Sequence, residues 1–350
     1  MRIGIAGAGL LGRLLAFELA SAGHEVETFD PALDAQARGA AGWTAAGMLC
    51  PVAELQCADQ HVFSLGLRSL ELWPRIIHRL GGNVEFKREG SLLLAHRGDE
   101  GAARRSVEFL TRKAPAGYQP QALTPAQLRE LEPAVQGPAH AWRLPGEGHM
   151  HTVQAMQALG DAASAAGARW HWGSRVERLG EGALWAAGQR HDFDWVFDVR
   201  GVGARPDLPV RGVRGELFWL HAPGVTLHRP LRLLHPRLHV YMVPRAGELI
   251  VIGASEIESE DRSPVSLRTT VELLAAAHSV VPELAEARVV HSESNLRPAL
   301  PDNLPRIEHS AGLTRINGLF RHGWLIAPAM VEEALAQVLP VAGAGQEVAA

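Results

Sequence analysis

Along the first thirty residues, apolar and polar positions change period twice. Arg2-Ile3-Gly4-Ile5-Ala6 is a short, nearly continuous apolar run, the pattern of a strand buried on both faces. From Leu11 to Ala22 the apolar residues Leu14, Leu15 and Leu19 return at helical spacing, and Gly23 stops the run. Glu25-Val26-Glu27-Thr28-Phe29-Asp30 then alternates with period two. Strand, helix and strand in this space predict a βαβ unit that opens a parallel sheet with helices on its faces.

Further along, helical patterns are expected over 60–80, around 104–112, from the capped start Thr124-Pro125, over 152–166 and over 266–279, with a last helix from about Ala329. Strands are expected near 90–94, 170–176 and 195–199, and Pro133 to Pro145 reads as loop. Residues 211–253 are strand-rich, with a polar hairpin at Arg245-Ala246-Gly247-Glu248. The α/β texture thus brackets a β-rich one. This predicts a discontinuous Rossmann-like nucleotide-binding domain, 1–83 with 146–210 and 290–345, and an inserted antiparallel β-rich domain, 84–145 with 211–289. The Ala/Gly-rich tail after Leu339 is expected to fray.

Composition narrows the partners. The chain has 350 residues, 47% of them hydrophobic, enough for two domains. Thirty-four Lys and Arg against 38 Asp and Glu give a formal charge of -4, so no global basic field gathers nucleic acid or an anionic membrane. Arg13 and Glu18 interrupt the N-terminal apolar run, which argues against a secretory signal, and no run approaches the roughly 20 apolar residues of a membrane span. Two cysteines, Cys50 and Cys57, make no disulfide framework and fit free thiols in a reducing cytoplasm. His149-x-His151 and the series His221, His228, His235 and His239 lack ligand spacing, so no metal is expected.

The chemistry starts at Gly7-x-Gly9-x-x-Gly12, which follows a strand and opens a helix. There Gly7 permits the tight turn, Gly9 lets backbone approach a pyrophosphate, and Gly12 packs helix on sheet. The amides of Ala8, Leu10 and Leu11 and the helix dipole favour an anion. Asp30, at the end of the second strand, is placed to accept from ribose hydroxyls. This motif alone serves FAD and NAD equally. FAD is favoured by the small-residue segment 39–51, with Thr44 and many accessible amides, because a tightly held flavin needs protein along its whole length.

Four stretches carry a family resemblance. They are the N-terminal fingerprint, Ala45-Ala46-Gly47-Met48-Leu49-Cys50-Pro51, Arg200-Gly201-Val202-Gly203-Ala204, and the pair Leu296-Arg297-Pro298-Ala299-Leu300-Pro301-Asp302 with Gly318-Leu319-Phe320-Arg321-His322-Gly323-Trp324-Leu325-Ile326-Ala327-Pro328. On these, the chain resembles FAD-dependent amine oxidases of the D-amino-acid oxidase family, closest to the glycine oxidase branch of thiamine biosynthesis. The resemblance implies FAD held by the fingerprint residues, by Thr44, Ala45, Ala46, Gly47 and Met48, by Val176, Gly201 and Gly203, and by Arg297, His322, Gly323, Trp324, Leu325 and Ile326. It gives the substrate carboxylate to Arg297, an assisting hydroxyl to Tyr241, and a place beside substrate and flavin to Arg321.

The implied reaction is oxidative deamination of glycine, sarcosine or a small D-amino acid by hydride transfer to FAD, with molecular oxygen as acceptor and hydrogen peroxide as product. The helix expected from Ala329 would point its positive end at the flavin. Rival readings are an NAD(P)-dependent dehydrogenase, a D-amino-acid dehydrogenase that passes electrons to a quinone or carrier, and a non-catalytic flavoprotein. A homo-oligomer is compatible with each.

Overall fold

In a computed structural model, residues 1–235 and 239–339 are described, and the tail expected to fray lies outside them. The predicted βαβ unit forms: strands Arg2–Ala6 and Glu25–Asp30 pair in parallel around the helix Leu10–Ser21. They sit at the centre of a six-stranded sheet whose order is Arg306–Ser310, Leu313–Asn317, Trp195–Asp198, Arg2–Ala6, Glu25–Asp30, Arg169–Trp172. Every neighbour pair is parallel except the outermost hairpin, Arg306–Ser310 with Leu313–Asn317. Ile3 and Ile5 have no exposed surface, as expected for strands covered on both faces. On one face the first helix packs against helices Thr152–Ala165 and Gly323–Val338.

The second layer is an eight-stranded sheet, ordered Arg288–Ala299, Arg211–His221, Leu249–Gly253, His239–Arg245, Leu231–Leu234, Ser91–Ala95, His140–Leu144, Gln121–Leu123. It is antiparallel apart from the pairing of Ser91–Ala95 with Leu231–Leu234. Period-two alternation sends Phe218, Met242, Ile250 and Ile252 to one face, where helix Leu267–Val280 covers them through Leu273, Ala277 and Val280. Leu217, Trp219, Val243 and Val251 face the other way and join the core of the first layer. Between the two layers lies the cavity described below.

Several expectations change. Strand Arg288–Ala299 pairs with Arg211–His221 along its whole length, so the boundary expected at residue 290 falls inside a strand of the larger sheet. Part of the loop expected over 133–145 is the strand His140–Leu144, drawn in by pairing on both sides. The strand expected over 170–176 breaks at Gly173 (φ 71°) into Arg169–Trp172 and Val176–Gly180, the latter opening a small three-stranded sheet. The last helix starts at Gly323, six residues before the expected Ala329. Pro328 therefore sits inside the helix, where the carbonyl of Trp324 that it leaves without an amide partner accepts from the Trp73 indole at 2.9 Å. Among the described residues no helix is long and apolar enough to cross a membrane.

Candidate functional site

A cavity of about 1050 Å³ runs between the layers, at the carboxyl ends of the parallel strands. Its first end is the glycine turn. Gly7 is left-handed (φ 107°), and a Cβ on Gly12 would lie 1.8 Å from the Gly7 carbonyl oxygen, so helix and turn touch only because both are glycine. Gly7, Ala8, Gly9, Leu10 and Leu11 line the cavity, whereas Gly12 is used up in that packing. The helix begins at Leu10 with no side-chain cap, leaving its first amides for a ligand. Asp30 also lines the cavity, and its carboxylate accepts from the Ala8 amide (2.6 Å) and the Ala32 amide (2.8 Å). Two fixed hydrogen bonds leave a carboxylate with acceptor sites to spare.

Thr44, Ala45, Ala46, Gly47 and Met48 form one wall, and Val176, Gly201 and Gly203 line the cavity as well. The wall is tied at both ends. A Cβ on Gly9 would sit 3.5 Å from Ala40, and the Gly42 carbonyl accepts from the Trp324 indole at 3.0 Å. Thr44 donates to Glu293 (3.0 Å) and accepts from Asn295 (3.2 Å), so its hydroxyl is engaged by the strand that carries Arg297. At the far end His322, Gly323, Trp324 and Leu325 line the cavity, again at a helix start without a side-chain cap. Ile326 is fully buried and does not line it, since its side chain packs in the core below the helix start.

The third part is built on the larger sheet. Tyr241 and Arg297 stand on strands three positions apart, roughly 14 Å at the usual strand spacing. Both side chains lie back over glycines on the intervening strands. A Cβ on Gly253 would be 2.6 Å from the Tyr241 hydroxyl, and one on Gly215 would be 2.5 Å from the Arg297 guanidinium carbon. The two polar ends therefore converge over the sheet. Arg297 Nη1 donates to the Ser255 carbonyl at 3.0 Å, and no carboxylate of the described residues forms an ion pair with it. Burial lowers the pKa of the Arg297 guanidinium and raises that of the Tyr241 hydroxyl, so the phenol is protonated.

Arg321 is placed differently. Its Nε is 3.2 Å from Glu54 and its Nη1 3.2 Å from Glu256, so two carboxylates balance it. Glu54 also accepts from Arg232 at 2.7 Å and lies 3.2 Å from His322 Nδ1. Burial alone would push the Glu54 carboxyl up, but Arg321 and Arg232 hold it well below the usual carboxylate range. Cys57 is exposed, but its sulfur lies 3.7 Å from Glu54, and lost solvation together with that charge pushes its thiol up to about 11. Glu54, Arg232 and Glu256 were not among the expected site residues. The signal for two of them was available: Glu54 and Arg232 are lone charges in the apolar runs Val52-Ala53-Glu54-Leu55 and Leu231-Arg232-Leu233-Leu234.

Two uncapped helix starts, a glycine wall that admits close approach and a carboxylate at the end of the second strand fit a flavin dinucleotide, anionic at one end and electron-accepting at the other. Fold and site together define an FAD-dependent oxidoreductase. The chain belongs to the family described as "DAO: FAD dependent oxidoreductase", whose model matches residues 2–337. A Rhizobium etli protein named as a thiamine biosynthesis oxidoreductase is 36% identical over 98% of each chain. Glycine oxidase of Geobacillus kaustophilus is 29% identical over 93% of this chain and 89% of its own. The crystal structure of that glycine oxidase superposes with a TM-score of 0.84, covering 97% of this chain and 95% of its own at 28% identity.

Proposed function

We propose that the chain is a cytoplasmic oxidase of glycine or a similarly small amino acid, producing the imine and then the 2-oxo acid with ammonia, reducing oxygen to hydrogen peroxide and serving thiamine biosynthesis. The observation that carries this is the Arg297 fork: a half-buried guanidinium that faces the cavity without a carboxylate partner among the described residues, with the Tyr241 hydroxyl turned toward it. A planar carboxylate completes such a fork, accepting two parallel N–H donors. Tyr241 adds a neutral donor from the other side. Arg321 and Arg232 share Glu54, and Arg321 also reaches Glu256, so of these three guanidiniums Arg297 is the one without a carboxylate among the described residues.

FAD, when bound, accepts a hydride equivalent from the substrate α-carbon. The chain supplies position rather than a strong base. Arg297 and Tyr241 fix one end of a small substrate, which brings the α-carbon to the near-attack separation of about 3 to 3.5 Å that such a transfer requires. Arg321, balanced by Glu54 and Glu256, borders the pocket instead of competing for the carboxylate. The start of the last helix carries no side-chain cap, and its dipole favours negative charge at that end of the cavity. By the same reasoning the amides at the first helix start, of Leu10 and Leu11, hold the pyrophosphate, the Ala8 amide being taken by Asp30, whose remaining acceptor sites serve the ribose.

Anaerobic mixing of the holoprotein with glycine, sarcosine, D-alanine and N-methyl amines tests the reading. Glycine or another small amino acid should bleach the visible flavin band, and air should restore it with stoichiometric peroxide. Bleaching without peroxide would assign the electrons to a quinone or carrier. No bleaching by any of the panel would sink the amino-acid reading.

A further inference from the structure

Arg245 opens the polar hairpin expected at Arg245-Ala246-Gly247-Glu248. The hairpin is there, but Arg245 is only 5% exposed and points inward from its strand. It does not line the cavity; it lies directly behind the cavity wall. Its Nη1 donates to the Pro244 carbonyl at 2.9 Å and its Nη2 to the carbonyl of Ala46, while its Nε has no partner. Its guanidinium carbon stands 5.9 Å from the centre of the Trp219 ring. Among the described residues no carboxylate forms an ion pair with it, and the nearest opposing charge felt is Glu85, which accepts from the adjacent Ala246 amide at 3.0 Å. Burial lowers its pKa to about 10, which still leaves it cationic at neutral pH. A buried, unbalanced guanidinium is costly, so its position calls for a return elsewhere.

The geometry of the wall supplies one. In a trans peptide the C=O and the following N–H point in opposite directions. Arg245 draws the Ala46 carbonyl outward, so the Gly47 N–H is turned inward, and that amide has no acceptor among the described residues. Thr152 Oγ1 holds the preceding carbonyl, of Ala45, in the same way at 2.8 Å. Gly47 itself is left-handed (φ 64°), and a Cβ there would meet the Met150 carbonyl oxygen at 2.2 Å, so the conformation is locked from both sides.

We propose that Arg245 is a positioning residue for the FAD ring: it turns the Gly47 amide into the cavity as a donor, and its unbalanced charge behind the wall favours the reduced, more negative flavin. Both effects act on the cofactor and are independent of which amine is oxidised.

The test is a redox titration of purified holoprotein together with FAD dissociation constants, using Arg245→Met, Arg245→Lys and Glu85→Gln. Arg245→Met removes the charge and keeps the stem. It should lower the preference for reduced over oxidised FAD about tenfold, a midpoint about 30 mV more negative for a two-electron couple. Arg245→Lys keeps the charge but loses the fork, so it should return the midpoint close to that of the parent while weakening FAD binding several-fold. Glu85→Gln leaves Arg245 in place and removes its opposing charge; the midpoint should move the other way, by about threefold in the same ratio. A parental midpoint in Arg245→Met overturns the proposal. Should that variant not be obtained with FAD, Glu85→Gln decides alone, and an unchanged or more negative midpoint in it overturns the proposal equally.

Discussion

Gly215→Ala places a methyl group beneath the Arg297 fork. Its carbon would lie 2.5 Å from Cζ and Nη2 and 2.7 Å from Nη1, whereas ordinary contact begins at 3.4 Å, so the fork must retreat by about 0.9 Å (3.4 − 2.5). The atoms that must move are the far end of a flexible side chain, so the sheet itself is left intact and the loss of stability should stay near the low end of overpacking, about 1 kcal/mol. Function has less tolerance. A reacting group misplaced by roughly 1 Å costs on the order of 100-fold, or about 2.7 kcal/mol of transition-state stabilisation. The assay is kcat/KM for the amino acid that bleaches the flavin fastest, read by peroxide release at fixed oxygen, with Tm and the visible spectrum recorded on the same preparation. A hundredfold loss with an intact flavin spectrum and a Tm within a few degrees is the expected result. A kcat/KM within threefold of the parent would refute the reasoning, since the fork would then not be what holds the substrate.

Arg297→Ala should lower kcat/KM by roughly two to three orders of magnitude, and Tyr241→Phe by about tenfold or less, because charged hydrogen bonds are worth about 1.5–3 kcal/mol each and a neutral one about 1; equal losses in the two would contradict the assignment. Glu54→Gln leaves Arg232 and Arg321 without the carboxylate that lies between them, which should cost about 3–5 kcal/mol in urea unfolding. His149 supplies a pH effect: burial and then the charge of Arg245 lower it from 6.5 to about 3, so between those values the unfolded chain binds a proton that the native state refuses. Stability therefore falls as pH drops below 6.5, and His149→Gln should shrink the difference in unfolding free energy between pH 7 and pH 5 by about 2 kcal/mol. An unchanged difference would exonerate His149.

Local patterns carried the first unit and most helices. The period-two and helical runs of residues 2–30 depend on neighbours close in sequence, and helix Gln60–Arg79 differs from its expected bounds by one residue. The capped helix start at Thr124-Pro125 was legible for the same reason, and the structure completes it as a capping box with Gln127. What sequence could not supply was pairing at a distance. His140–Leu144 is a strand because Ser91–Ala95 and Gln121–Leu123 flank it, and Arg288–Ala299 belongs to the larger sheet because Arg211–His221 accepts it. Pro328 reads as a stop until Trp73, far away in the chain, takes up the freed carbonyl. Charges misled in a similar way. Arg245 looks like a surface residue of a polar turn, and only the packed structure turns it into a buried brace; Glu54 stands out as a lone charge in an apolar run, but its two guanidinium partners come from distant parts of the chain.

Trp324 holds these lessons in a single side chain. Its carbonyl takes the Trp73 indole, and its own indole N–H holds the Gly42 carbonyl, 282 residues earlier in the chain. Synthesis runs from the N-terminus, so the glycine turn and the small-residue wall leave the ribosome long before the residue that fastens them. A nascent chain that stops short of Trp324 has the wall without its fastening and lacks the second helix start. The cofactor site is therefore incomplete until Trp324 has been made, and a chain cut before Trp324 should fail to retain FAD.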